Sequence, residues 1–197
     1  MFEIMTVCTG NVCRSPLAQQ VLADRLADLP GTITSGGTFE MDASPMPDEG
    51  QRLAAAFGVR PEVSAAHRSR VITAERLSTP DLILAMARDH RRQIVSLSPA
   101  RLRSTFTIRE FARLAADTSD GEIISAASGA PTPSEKVRAA VATVAGHRGM
   151  TLPPESPDDD DVVDPYRRSW NTYERSGAQL APAIDEVVRV LRLALTR

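Results

Sequence analysis

The chain has 197 residues, of which 42% are hydrophobic and 24% are charged, and its formal net charge is −2. These values are ordinary for a globular protein, and the length predicts one domain with a sizeable core. The small net charge excludes a global basic field that would recruit nucleic acid or an acidic membrane surface. The sequence has no apolar run of membrane-spanning length, and its first residues lack the pattern of a signal peptide, which favours a cytoplasmic location.

The most informative segment is residues 8–16, which read CTGNVCRSP. An apolar run over residues 2–7 predicts a short buried strand before it. Ser15 and Pro16 predict a helix N-terminus directly after it, with Ser15 as the N-cap. A strand, a turn and a helix N-terminus bring several backbone N–H groups and the positive end of a helix dipole to one point. That arrangement is typical of a phosphate-binding loop.

The residue types in this loop predict covalent phosphoryl transfer. Backbone donors and a nearby guanidinium favour the thiolate of Cys8, which is the nucleophilic form of cysteine. Arg14 offers a planar fork for two phosphate oxygens. Gly10 lets the backbone curl, and the Ser15 hydroxyl can donate to the sulfur. We predict that the phosphate is bound by Thr9, Gly10, Asn11, Val12, Cys13, Arg14 and Ser15.

Both cysteines of the chain, Cys8 and Cys13, lie in this loop. Two cysteines and three scattered histidines do not form a zinc-binding pattern, so no metal or other cofactor is expected. Cys13 has two interpretations that the sequence leaves open. It packs as a small apolar side chain, or it traps oxidised Cys8 as a disulfide and protects it from over-oxidation.

Strands and helices alternate along the chain. Apolar periodicity predicts helices over residues 16–29, 47–57, 88–97 and 176–195. Short apolar runs predict further strands over residues 33–35, 81–86 and 105–108, and residues 64–70 are expected to form a helical turn. His90 is placed with three arginines on the exposed side of its helix. This alternation predicts an α/β fold in three layers, with a four-stranded parallel sheet and helices on both faces.

Residues 112–157 depart from the alternation, and the stretch is longer than a usual loop. Residues 132–135 (Thr-Pro-Ser-Glu) fit a capping box with proline at the first helical position, which predicts a helix ending at Gly146 or Gly149. Residues 117–131 are rich in Ser, Ala, Asp and Gly and are expected to form a loop. The whole stretch is interpreted as a helical insertion, either at the rim of the active site or without a catalytic role.

Residues 8–16 resemble the signature of the low-molecular-weight protein tyrosine phosphatase family, which also includes thioredoxin-coupled arsenate reductases and protein arginine phosphatases. Three further stretches are similar to the family in the same order, at residues 34–38, 66–70 and 164–166. The resemblance covers residues 2–111 and 158–195. It implies a single phosphatase domain over residues 1–197 with the Rossmann-like phosphotyrosine protein phosphatase I fold, and residues 112–157 as an insertion within it.

The resemblance also implies a general acid. Asp164, in the sequence Asp-Pro-Tyr, would protonate the leaving oxygen and then accept a proton from the water that hydrolyses the phosphocysteine. Pro165 favours an extended backbone at the preceding residue, which can hold the carboxyl group in one direction. The aspartates of residues 158–161 form a run of like charges that is more typical of a solvated loop.

Other residues take supporting and lining roles by the same resemblance. Asn11, Ser35 and His67 would hold the loop in its curl, with Asn11 in a left-handed backbone conformation. Tyr166 would line the mouth of the pocket, and either Phe39 or Met41 would form a further wall.

The resemblance implies a protein-tyrosine-phosphatase that works through a cysteinyl-phosphate intermediate. Arginine phosphatases of the family carry Thr at the position of Val12, and the bulk of Val12 favours an aryl phosphate. Arsenate reduction in the family needs additional cysteines to carry the oxidation away from the nucleophile. The chain has none beyond Cys8 and Cys13, so this activity is not expected. A phosphate-binding regulatory module without turnover is the alternative from another class.

The expected partner is a phosphotyrosine-containing protein, such as a tyrosine kinase, rather than nucleic acid or membrane. The chain is expected to be a monomer or weak dimer.

Overall fold

The computed structural model describes residues 1–41 and 43–196. Within them, one parallel sheet is formed by β1 (Phe2–Cys8), β2 (Gly31–Gly37), β3 (Leu82–Ala85) and β4 (Thr105–Thr107). The strand order across the sheet is β2-β1-β3-β4. The chain therefore winds first to one side of β1 and then to the other, and a topological switch point lies between β1 and β3. This confirms the predicted α/β fold.

Helices cover both faces of the sheet. They are α1 (Arg14–Arg25), α2 (Asp48–Ala56), α3 (Pro61–Ala66), α4 (Ala74–Ser78), α5 (Arg88–Leu97), α6 (Ile108–Ala116), α7 (Asp120–Ser128), α8 (Pro133–Gly146) and α9 (Trp170–Thr196). Short 3₁₀ helices lie at Pro99–Ser104 and Pro157–Asp160. In the part of the chain that the structure describes, no helix combines the length and apolar character needed to cross a membrane.

The hydrophobic core is divided by the sheet because neighbouring side chains of a strand point to opposite faces. Phe2 and Ile4 of β1 belong to the larger cluster, which contains apolar side chains of α1, α6, α8 and α9. Met5 and Val7 belong to a smaller cluster with residues of α4 and α5, including Leu77 and Ile94. Apolar side chains therefore cover both faces of the central strands, which explains their nearly continuous apolar sequence.

Two predicted boundaries near the loop are wrong. Helix α1 begins at Arg14, so the N-cap position is held by Cys13, and Ser15 lies inside the first turn with a buried hydroxyl. The predicted turn over residues 64–70 lies earlier, as α3, because Pro61 is suited to the first position of a helix. His67 follows α3 in an extended conformation.

The predicted loop over residues 117–131 is also wrong, because α7 occupies most of it. Ser119 and Glu122 form a reciprocal capping box at its start, a sequence signal that outweighs the polar composition. Ile123 and Ala127, one turn apart, are buried in the larger core cluster. The helix predicted after Thr132 is confirmed as α8, with the Thr132 side chain accepting from the Glu135 backbone N–H.

The helices of residues 112–157 are part of the main core. Val137, Val141 and Val144 of α8 are buried in the larger cluster together with residues of α9. The segment is therefore packed into the fold rather than attached to its surface. Its assignment as an insertion within a single phosphatase domain stays a prediction.

Gly37, at the end of β2, lies directly against the loop of residues 8–15. A Cβ atom at Gly37 would lie 2.7 Å from the Thr9 carbonyl oxygen and 3.1 Å from the Asn11 nitrogen. Because both neighbours are backbone atoms, we expect Gly37→Ala to displace the loop and lower the free energy of unfolding by about 1–3 kcal/mol. Urea unfolding measures this change.

The matched control is Gly121→Ala in α7, where a Cβ atom meets nothing within 4 Å. Alanine is favoured over glycine in a helix by about 0.5–1 kcal/mol, so this variant should be at least as stable as the wild type. Equal stabilities of Gly37→Ala and Gly121→Ala would show that the loop has room to move away from β2.

Candidate active site

The curl of the 8–15 loop is built around Asn11, which has a positive φ of 52° and is fully buried. Asparagine tolerates this left-handed conformation better than most residues. Its Nδ2 donates to Ser15 Oγ at 3.0 Å, and its Oδ1 accepts from the Arg70 backbone N–H at 2.9 Å. The carbonyl oxygen of Asn11 lies 2.7 Å from His67 Nε2. Every polar group of the Asn11 side chain is therefore engaged in holding the loop.

His67 contacts the loop where the family resemblance placed it. Burial lowers the pKa of its imidazole, and the positive charges of Arg70 and Arg68 act in the same direction, against the hydrogen bond to Asn11. The ring is therefore neutral at physiological pH. Since the partner is a carbonyl oxygen, Nε2 carries the proton and donates.

The structure places Ser35 away from these contacts. Its side chain hydrogen-bonds none of the described residues, and it lines a separate cavity of about 230 Å³ together with His67 and Arg70. The neighbouring Gly36 carbonyl accepts from Ser15 Oγ at 3.3 Å instead. Ser35 pairs with Thr6 in the sheet, two residues before the pair formed by Cys8 and Gly37. It therefore lies before the edge of the sheet at which the loop begins.

Cys8 ends β1 at the carboxyl edge of the sheet and is 3% exposed. Its Sγ lies 3.0 Å from Ser15 Oγ. Because Ser15 Oγ accepts from Asn11 Nδ2, its own hydrogen is available to the sulfur or to the Gly36 carbonyl. The hydroxyl can thus stabilise a Cys8 thiolate.

Arg14, the first residue of α1, is 5% exposed and is held from two sides. Its Nη1 donates to the Val162 carbonyl at 3.0 Å, and its Nη2 donates to Thr9 Oγ1 at 3.3 Å and to Asp164 Oδ2 at 2.7 Å. Its Nε is buried and pairs with none of the described residues. The edge formed by Nε and Nη2 therefore matches the fork that binds two oxygens of a phosphate.

Asp164 is brought next to Arg14 although the two residues are 150 positions apart. One carboxyl oxygen pairs with Arg14, and the other accepts from the Tyr166 backbone N–H at 3.2 Å. The side chain is 48% exposed. A phosphoryl group that binds Arg14 competes for the guanidinium, and this frees the carboxyl group to face the leaving oxygen.

The acidic run at residues 158–161 is a 3₁₀ helix over Pro157–Asp160 rather than a loop, with Asp158 and Asp159 exposed and Asp160 and Asp161 partly buried. Arg88 of α5 pairs with Asp158 and Asp161, and Arg113 of α6 pairs with Asp160 at 2.9 Å. The Asp161 carboxylate also accepts from the Arg88 backbone N–H at 2.7 Å, a favourable position for an anion at a helix N-terminus. These ion pairs fix the segment that leads into Asp164.

These groups surround a cavity of about 140 Å³. It is lined by Cys8, Thr9, Gly10, Val12, Cys13, Arg14, Met41, Asp164 and Tyr166. Met41 and Tyr166 therefore lie where the lining residues were expected. Phe39 does not line this cavity, and its ring is 64% exposed.

Cys13 is buried, and its Sγ lies 3.7 Å from Tyr173 Oη. Burial is the main reason that the pKa of its thiol is raised to about 12, with the hydrogen bond to Tyr173 acting in the opposite direction. The thiol is therefore protonated at physiological pH and packs as a small side chain. A disulfide with Cys8 stays a prediction, since both thiols are free in this structure.

The predicted exposed position of His90 is wrong. The residue is 5% exposed rather than on an open helix face, and its Nε2 lies 2.8 Å from Thr9 Oγ1. Helix α5 follows β3, which neighbours β1 across the switch point, so its first turn faces the loop that follows β1. The strand order, rather than the charged neighbours of His90, decides its environment.

A thiol, a guanidinium and a carboxyl group around one small cavity define a cysteine-dependent phosphatase. The family model described as "Low molecular weight phosphotyrosine protein phosphatase" matches residues 3–124, and the chain belongs to this family.

Two relatives illustrate the range of the family. The protein-arginine-phosphatase of Geobacillus stearothermophilus is 33% identical over 111 residues, which cover 56% of this chain and 71% of that protein. The low molecular weight protein-tyrosine-phosphatase Etp of Escherichia coli (strain K12) is 38% identical over 98 residues, which cover 49% of this chain and 62% of that protein. The aligned part of this chain therefore spans less than two thirds of Etp.

Solved structures match over nearly the whole chain. The low molecular weight protein tyrosine phosphatase from T. tengcongensis aligns with a TM-score of 0.65 and 25% identity, covering 95% of this chain and 98% of that one. A YwlE mutant from Bacillus subtilis aligns with a TM-score of 0.66 and 20% identity, covering 98% and 99%. The second comparison supports the fold alone.

The burial of His90 predicts a pH-dependent stability. Burial first, and then the charge of Arg14, lower the pKa of its imidazole to about 4 from an ordinary 6.5, while Asp164, Asp161 and Asp89 act in the opposite direction. As the pH falls below 6.5, the unfolded chain binds a proton at this site before the folded chain does. The free energy of unfolding therefore decreases as the pH falls from 6.5 to about 4. His90 has little effect on it near neutral pH.

The expected loss from this site between about pH 7 and about pH 5 is about 2 kcal/mol. His90→Gln removes the titrating group, so its stability should fall less over this range by that amount. Urea unfolding of both proteins at both pH values measures the difference, and His67 and His147 cancel because both proteins contain them. A difference that does not change with pH would contradict a neutral, buried imidazole.

Proposed function

We propose that this protein is a protein-tyrosine-phosphatase that hydrolyses phosphotyrosine through a cysteinyl-phosphate intermediate, with Cys8, Arg14 and Asp164 as its catalytic residues. The observation that carries the proposal is that these side chains meet in one small cavity beside Tyr166. Family membership supports phosphatase chemistry, and the geometry supports a division of roles among the residues. Backbone N–H groups of residues 9–15 are the further phosphate ligands in this proposal.

In the first step, the Cys8 thiolate attacks phosphorus and forms an S–P bond while the P–O bond to the phenol breaks. Arg14 and the backbone N–H groups stabilise the equatorial oxygens, where the charge is spread in the transition state. The protonated carboxyl group of Asp164 gives its proton to the leaving oxygen. The phenol leaves as a neutral group.

In the second step, a water molecule attacks the phosphocysteine. The Asp164 carboxylate accepts a proton from the water, the new P–O bond forms, and the S–P bond breaks. Cys8 leaves as a thiolate, and the Ser15 hydroxyl at 3.0 Å donates to it. The enzyme is then returned to its starting state with inorganic phosphate as the product.

The lining of the cavity favours an aryl phosphate. Val12 presents an apolar wall, and the half-buried ring of Tyr166 can stack on an aromatic substrate. Arg167 and Arg168 are exposed directly beside Tyr166, so the rim suits acidic residues next to the phosphotyrosine. The partner proposed is therefore a phosphotyrosine protein, such as a tyrosine kinase, acted on by a cytoplasmic monomer or weak dimer.

Phosphoarginine is the second candidate substrate, because the relatives from Geobacillus stearothermophilus and Bacillus subtilis are named protein-arginine-phosphatases. Those enzymes would share the loop and the nucleophile. Val12 weighs against this substrate, because it provides no hydroxyl group for a guanidinium.

The direct test is hydrolysis of p-nitrophenyl phosphate, a phosphotyrosine peptide and a phosphoarginine peptide by the wild type and by Cys8→Ser. We expect the wild type to favour the phosphotyrosine peptide over the phosphoarginine peptide. Cys8→Ser should lose activity on all three substrates, because a serine hydroxyl in this loop is a far weaker nucleophile than a thiolate. Preference for phosphoarginine would overturn the substrate, and full activity of Cys8→Ser would overturn the mechanism.

The role of Asp164 as the acid has its own signature. We expect Asp164→Asn to slow phenyl phosphate hydrolysis about 100-fold or more and p-nitrophenyl phosphate hydrolysis much less, because a good leaving group needs little protonation. The matched control is Asp24→Asn, an exposed aspartate near the C-terminal end of α1, which should leave both rates unchanged. Equal losses for the two esters would remove the acid role and leave only the ion pair with Arg14.

A further inference from the structure

We infer that His90 is a positioning residue for phosphoryl transfer: through the Thr9 hydroxyl, its imidazole holds the Arg14 guanidinium in the orientation that meets the phosphate. The inference rests on the proposed function, because it assigns a further role within the same site. It concerns a residue that neither transfers a proton to the substrate nor touches it.

One hydroxyl group joins the two side chains. Thr9 Oγ1 lies 2.8 Å from His90 Nε2 and 3.3 Å from Arg14 Nη2. A guanidinium group only donates hydrogen bonds, so Thr9 Oγ1 is the acceptor for Arg14. The position of this oxygen therefore sets one end of the guanidinium, and His90 sets the position of the oxygen.

The reaction makes this contact necessary. Arg14 is fixed at Nη1 by the Val162 carbonyl, and at Nη2 by Thr9 and Asp164. When Asp164 turns to the leaving oxygen, Thr9 is the protein contact that remains at Nη2. Without a fixed Thr9 hydroxyl, the guanidinium would be held at one amino group and could rotate away from the equatorial oxygens, and small misplacements of this kind slow catalysis strongly.

The burial of His90 supports a role beyond packing. Burial takes from an imidazole its hydrogen bonds to water, which costs free energy, whereas burial of an apolar side chain of the same size is favourable. Its Nδ1 has no hydrogen-bond partner among the described residues, so the contact with Thr9 is its compensation. With the proton on Nε2, the unpaired atom Nδ1 carries only a lone pair and no hydrogen. The Thr9 oxygen then accepts from both His90 and Arg14, and its hydroxyl hydrogen is free to face the cavity that Thr9 lines.

The charge state of His90 suits this position. The imidazole is neutral near neutral pH because its pKa is lowered to about 4 by burial and by Arg14. A neutral ring can stand beside the buried guanidinium without repelling it. The acidic groups around the ring, Asp89, Asp161 and Asp164, do not reverse this balance.

Two substitutions of His90 separate its hydrogen bond from its volume. His90→Phe keeps a ring of similar size and removes the donor, whereas His90→Gln keeps an N–H donor near the position of Nε2. We expect His90→Phe to lower kcat/KM for p-nitrophenyl phosphate about 10- to 100-fold and to weaken inhibition by inorganic phosphate. His90→Gln should recover most of both losses. The loss should be equal for good and poor leaving groups, because Arg14 acts on the phosphoryl oxygens and not on the leaving group.

A double-mutant cycle with Thr9→Val tests the path through the hydroxyl. Thr9 is exposed, so Thr9→Val should fold even where His90→Phe does not, and it should show a similar loss. If His90 acts through Thr9, the double variant loses no more than either single variant. Wild-type kinetics of His90→Phe, or fully additive losses in the double variant, would overturn the inference.

The design also separates this inference from the proposed function. A wild type that hydrolyses none of the phosphate esters would defeat the proposed function. In that case, titration calorimetry with inorganic phosphate still compares the wild type with Thr9→Val and His90→Gln. Equal phosphate affinities of the wild type and Thr9→Val would overturn the positioning role by itself.

Discussion

The loop of residues 8–15 depends on one buried asparagine in a left-handed conformation. A fully buried amide is tolerated only when its hydrogen bonds are made, and Asn11 bonds to Ser15, to Arg70 and, through its carbonyl, to His67. The contact that closes the curl thereby also places the Ser15 hydroxyl beside Cys8. Structural support and preparation of the nucleophile are the same set of hydrogen bonds, so they cannot be changed separately.

The strand order of the sheet brings the other parts of the site together. The switch point between β1 and β3 puts the end of one strand beside the start of the helix that follows the other. The 8–15 loop and His90 meet there, and Val162 N–H donates to the Met86 carbonyl at 2.9 Å just beyond β3. That hydrogen bond fixes Val162 beside β3, and the segment that follows it places Asp164 next to Arg14. Three parts of the chain, far apart in sequence, are therefore joined at one edge of the sheet.

Local patterns in the sequence predict the loop and the sheet, and the family resemblance implies Asp164 as the acid. The ion pair between Asp164 and Arg14 is known only from the structure. Features that depend on the third dimension were not predicted. The charged neighbours of His90 predict an exposed position, whereas the strand order buries it. The resemblance implies that Ser35 supports the loop, whereas its pairing with Thr6 leaves it two residues before the edge of the sheet where the loop begins. Helix α7 differs from the predicted loop for another reason: the polar composition of the segment favours a loop, but the Ser-x-x-Glu capping box of Ser119 and Glu122 starts a helix there.

The ion pairs along residues 158–161 tie the segment before Asp164 to the middle of the chain. Arg109 and Arg113, both on α6, hold the Asp161 carbonyl and the Asp160 carboxylate. The same helix leads into residues 112–157, whose valines fill the core beside α9. A change in the length of that middle region that displaces α6 would therefore also displace the segment before Asp164, because α6 supplies its contacts. A chimera with a shorter relative must therefore exchange α6 and the acidic run as one unit.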